Sequence, residues 1–140
     1  MNSTTKNAPQ KTTSASCSAE AQSNKISSFR DLIIWQRSMA IAKEVYAATK
    51  QFPREELYGL TSQLRRCSVS VPSNIAEGFK RWHKTELKQF LNISAGSLAE
   101  LETQILLARS FNYIDAGKAD CILKEIFSCE KMISKFASKY

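Results

Sequence analysis

From Ser28 to the C-terminus the chain carries four stretches in which apolar residues recur every three or four positions, the period of an α-helix packed on one side. The first opens at Ser28, whose hydroxyl can cap a helix while Asp31, three residues on, completes a weak form of the capping box, and it closes before Pro53. Leu32, Trp35, Met39, Ala42, Tyr46 and Thr49 form its expected seam. The second starts after Pro53, with Glu55 and Glu56 near the positive end of its dipole, and runs to about Phe79. Its core stripe is Leu57, Leu60, Leu64, Cys67, Val71 and Ile75. A third helix begins near His83 to Thr85, runs to about Asn112 and buries Leu87, Phe90, Leu91, Ser94, Leu98, Leu101, Ile105 and Ala108. Asp115 caps the fourth, where Ile122, Ile126, Cys129, Ile133 and Phe136 repeat the pattern. Links of a few residues favour antiparallel neighbours, so the expected fold is all-α, an up-down-up-down four-helix bundle.

Three residues strain this pattern. Pro72 lies within the second helix, where it removes a backbone hydrogen bond at a cost of about 3 kcal/mol. A restart is one solution, since Asn74 and Glu77 have capping-box spacing; a kinked, continuous helix is favoured because Cys67, Val71 and Ile75 keep their phase across the proline. Gly78 reads as a closing residue able to take the left-handed conformation. Gly96, in the middle of the third helix, suggests that another backbone passes close by.

Beside the apolar stripe of the second helix runs a polar one: Gln63, Arg66, Ser70, Asn74, Glu77 and Arg81 share a sector. Gln63, Ser70, Asn74 and Glu77 are expected to organise contacts between helices or between subunits. Arg65 falls outside both stripes and is expected to face outward; Arg65, Arg66, Lys80, Arg81 and Lys84 are the candidate phosphate contacts, with Trp82 and His83 placed to stack on a base. The bland reading of the same residues is a solvated face and an interhelix anchor.

Composition narrows the function. Among 140 residues there are 20 Lys plus Arg and 13 Asp plus Glu, a net charge of +7, which makes anionic partners plausible. Residues 1–27 are rich in Ser, Thr, Asn and Ala and read as a disordered tail ahead of a bundle domain over 28–140. The four cysteines form no C-x-x-C pair, so neither a zinc site nor a disulfide framework is expected. His83 is the only histidine, and no nucleophile elbow, phosphate loop or Glu-x-x-His pair is present. The expectation is a non-enzymatic protein with no cofactor, no metal and no small-molecule substrate. No apolar run reaches membrane length, so a cytoplasmic location with no membrane partner is expected.

The segments FRDLIIWQ, QLRRCSVSVPSNIAEGF and FLNISAGSLAELE resemble, in order and spacing, the four-helix-bundle proteins encoded in 23S rRNA intervening sequences. The resemblance spans about Phe29 to Lys139 and is most specific at Arg65-Arg66, Ser70, Asn74 to Gly78 and Gly96-Ser97-Leu98 to Glu100. It departs at Trp82-His83, where small polar capping residues would be usual. The resemblance implies a ring-shaped homo-oligomer, a pentamer; taken with the net charge and the polar stripe, it leads to the expectation of a basic surface offered to RNA or a ribonucleoprotein. The alternative it implies is a protein-binding adaptor, such as an accessory subunit of a reverse transcriptase, that contacts a nucleic-acid polymerase and not the nucleic acid itself.

Overall fold

The computed structural model describes residues 25–140. Most of the expected tail, including Cys17, therefore lies outside the described residues. Four helices follow: α1 (Ile33–Thr49), α2 (Leu60–Lys80), α3 (Lys84–Ser110) and α4 (Ala116–Ala137). Helices adjacent in sequence pack together and α4 closes back on α1, which gives the expected bundle. Its axis is filled by Val45, Leu64, Ile75, Leu91, Leu98, Leu101, Ile105, Ile122, Ile126 and Ile133, all essentially inaccessible.

The first two helices start later than their cap signals. Ser28 and Asp31 do form the reciprocal capping box, but it caps a 3₁₀ turn over Phe29–Asp31, and α1 begins only at Ile33. Glu55 and Glu56 likewise sit in a 3₁₀ turn, Arg54–Glu56. Glu56 still acts as a cap, since its Oε2 accepts the Leu60 N–H at 3.0 Å and its Oε1 accepts the Tyr113 hydroxyl at 3.1 Å. Leu57 thus precedes α2 and is largely exposed. At the end of α3 the chain turns through Asn112 in the left-handed region, φ 58°, with Tyr113 N–H on the Ala108 carbonyl and Asn112 N–H on that of Arg109, the paired bonds of a Schellman motif.

On α1 the core seam is shifted by one residue from the expected line. Ile34, Ser38, Ile41, Ala42, Val45 and Thr49 are buried, whereas Trp35 and Met39 are half-buried and Tyr46 is exposed. Two apolar stripes about 100° apart run along this helix, and the branched side chains of Ile34, Ile41 and Val45 take the interior. Ser38 hides its polarity there by donating to the Trp35 carbonyl at 2.8 Å.

Pro72 does not break α2, which is helical from Leu60 to Lys80 with Val71, Pro72 and Ile75 all buried. Packing against α3 offsets the lost bond, and the Ser94 hydroxyl donates to the Val71 carbonyl at 2.9 Å, tying the two helices beside the proline. Neither glycine takes its expected role. Gly78 lies inside the helix with no positive φ, and a Cβ there would stand 2.7 Å from Phe90 Cβ and 3.3 Å from Leu87 Cδ1. It is a point of close approach between α2 and α3. A Cβ on Gly96 would meet nothing within 4 Å, so among the described residues no backbone crosses there.

Candidate nucleic-acid interface

The up-down course of the bundle brings the α2–α3 link to the same end as the start of α1 and the end of α4. Lys80 ends α2, Arg81 is its C-cap, Trp82 is 97% exposed and His83 is the N-cap of α3 with no side-chain capping bond. Trp82 packs against no aromatic among the described residues. Arg81 is held in place: its guanidinium pairs with Glu77 at 3.0 Å and lies over the Phe90 ring at 5.4 Å. Lys80 and Lys84 have no carboxylate partner among the described residues.

Charge is distributed unevenly along the bundle. At the Trp82 end, residues 25–36, 74–91 and 127–140, nine Lys and Arg face four Asp and Glu; at the opposite end, residues 41–66 and 95–122, there are seven of each. The positive excess of the described chain is therefore almost entirely at the Trp82 end. Lys80, Arg81 and Lys84 are brought together there, while Arg65 and Arg66 are not. Fifteen residues of helix, about 22 Å at 1.5 Å per residue, separate Arg65 from Lys80.

Arg65 is also not the free outward cation expected. Its Nε donates to Thr49 Oγ1 at 2.9 Å and its guanidinium lies 4.9 Å from the Tyr46 ring centroid. Buried Thr49 passes the chain of bonds on to the Val45 carbonyl at 2.8 Å. Arg65 is thus a clasp between α1 and α2, formed because its sector of the helix faces α1. Arg65→Ala is expected to lower the unfolding free energy by about 1–2 kcal/mol, read by urea denaturation, whereas Arg66→Ala at its exposed site should stay within about 0.5 kcal/mol.

The polar stripe divides. Ser70 and Ser97 hydroxyls share a hydrogen bond of 3.0 Å, and the Asn74 amide donates to the Ser70 carbonyl at 2.8 Å and to its hydroxyl at 3.0 Å. The Ser70–Ser97 bond joins α2 to α3, while Asn74 bonds back to Ser70 within α2. Gln63 is exposed and, with Arg66, Glu100 and Gln104, lines an open polar groove of about 580 Å³ between α2 and α3. Glu77 serves the Arg81 pair. Cys67 floors the same groove, its thiol donating to the Ser97 carbonyl at 2.9 Å. Burial and the nearby Glu100 carboxylate push this thiol up to about 12, and burial pushes Cys129 up to about 11. Both stay protonated and unreactive near neutrality. Alkylation of the folded protein at pH 8, mapped by peptide mass, should label exposed Cys121 and spare Cys67 and Cys129.

Residues 30–135 match the family described as 23S rRNA-intervening sequence protein. The chain belongs to this family. A solved structure from Bacteroides thetaiotaomicron, described as a protein with unknown function from the S23 ribosomal protein family, is 19% identical, with a TM-score of 0.70 over 76% of this chain and 96% of the other. That likeness shows the shared fold. No curated protein matches the chain. Neither description names an enzymatic activity. Among the described residues of this family member, no helix is long and apolar enough to cross a membrane, and no cluster of His, Cys, Asp and Glu could hold a metal ion.

One feature of the fold escaped the sequence reading: an apolar groove on the α1–α2 side, about 610 Å³, lined by the displaced α1 seam and by Val69, Pro72 and Ala76 of α2. A signal for it exists, since Arg65, Val69, Pro72 and Ala76 recur at three-four spacing on a third face of α2.

Proposed function

We propose that this family member is a non-enzymatic cytoplasmic bundle that assembles with copies of itself and presents the Trp82 end to single-stranded segments of RNA. The observation that carries the reading is the concentration of positive charge around a bare tryptophan at one end of the bundle. Lys80 and Lys84 would meet phosphates, and Trp82 would stack on an unpaired base, a combination suited to single strands. The closed homo-oligomer, a ring of five in the form the resemblance implies, would gather several such ends and raise avidity without new contacts. Among the described residues, protonated, buried Cys67 and exposed His83 form no reactive pair, which supports a binding role.

Fluorescence anisotropy with a labelled single-stranded RNA tests this. The two phosphate contacts on a single strand carry a salt slope of about −0.7 each, so affinity should fall about sevenfold between about 50 and about 200 mM salt. Binding that ignores salt, or none at low salt, overturns the reading. Capture of a polymerase that persists after nuclease treatment would replace it with the adaptor reading.

A further inference from the structure

The groove between α1 and α2 is apolar along its floor and basic at its rim. Trp35, Met39, Tyr46, Val69, Pro72 and Ala76 form the floor, and exposed Lys43 and Lys50 stand beside it. On α3 a second unpartnered line runs at three-four spacing through Ile93, Gly96, Glu100, Thr103 and Leu107. Ile93 is 49% and Leu107 44% exposed, and the space over Gly96 is open. The line has the complementary character: apolar at both ends, flat in the middle and acidic at Glu100, with no Lys or Arg in α3 between Lys88 and Arg109.

We infer that the α1–α2 groove of one copy receives the α3 face of a second copy, with Lys43 and Lys50 set against Glu100. This rests on the self-assembly reading above and assigns its surfaces. A groove meeting its own twin would bring lysines against lysines, a juxtaposition that charge complementarity disfavours. Groove and α3 face lie on different sides of the bundle, so the contact is heterologous and repeats head to tail, which yields a closed ring when the rotation closes. The apolar floor supplies area removed from water, and Gly96 lets the incoming wall approach the α3 backbone.

Charge reversal separates the possibilities because the altered residues are exposed, Glu100 meeting the core through the 3.5 Å bond it accepts from the Cys67 thiol. By sedimentation velocity at low salt, Lys43→Glu with Lys50→Glu should weaken association at least about tenfold, and Glu100→Lys should do the same. Mixing the two variants should restore contacts between unlike copies, seen as association above that of either variant alone, since each keeps one native face and the reversed faces match each other; a ring of five keeps one mismatched contact. Circular dichroism of each variant checks that the bundle remains folded. If the wild-type chain stays monomeric at high micromolar concentration, both the self-assembly reading and this assignment fall. If it assembles but the variants assemble equally well, or one reversal alone matters and mixing restores nothing, only the assignment falls.

Discussion

Gly78→Val is expected to lower the unfolding free energy by about 3 kcal/mol, a fall of roughly 10 °C in the melting temperature of a domain this size. The cause is local: the first carbon of any side chain at position 78 would stand 2.7 Å from Phe90 Cβ. That atom is fixed to the α3 backbone and cannot swing aside, so α2 and α3 must separate and loosen Leu87 and the Ser94 bond to Val71. Gly78→Ala should be milder, because the steric cost is offset in part by about 1 kcal/mol of helix propensity. In dilute protein Gly96→Ala should instead gain up to about 1 kcal/mol, because that site is open and only the propensity term acts. Urea unfolding of the three variants gives the order directly; equal effects of alanine at 78 and 96 would contradict the close approach.

Trp82→Ala is expected to weaken single-stranded RNA binding by roughly 5- to 150-fold, the range of about 1–3 kcal/mol for one stacked base, while leaving the melting temperature unchanged. Stability should not move because the indole is 97% exposed. Lys80→Glu with Lys84→Glu should remove two phosphate contacts and make the salt slope shallower by about 1.4. Arg66→Glu, on the same helix but toward the other end, should leave the slope nearly unchanged. Anisotropy titrations at several salt concentrations separate the stacking loss, which persists at all salts, from the electrostatic loss, which fades as salt rises. An Arg66 effect equal to that of the lysines would move the interface to the middle of the bundle.

Periodicity located all four helices because each buries a stripe whose spacing is set by the helix itself, and Asp115 capped α4 as its side chain requires, accepting from the Lys118 N–H at 3.2 Å. The starts of α1 and α2 were less legible. A capping box fits a 3₁₀ turn as well as an α-helix, and the charged Glu56 satisfied the start of α2 from four residues upstream. The basic tip was visible as Lys80, Arg81 and Lys84 in sequence, yet its company from Arg30, Lys135 and Lys139 depends on which helix ends share one side of the bundle.

The sequence by itself determined the helices and their order, since these follow from local spacing, and its phase favoured the continuity of α2 through Pro72 that the structure shows. Only the tertiary structure decided which of its two apolar stripes α1 turns inside. On α1 two apolar stripes compete, and the neighbours chose Ile34, Ile41 and Val45, leaving Trp35 and Tyr46 to border a groove. Position 78 needs glycine because α3 passes there, and Arg65 clasps Thr49 and Tyr46 because α1 lies alongside. Such roles belong to pairs of elements, and a one-dimensional pattern records only one partner of each pair.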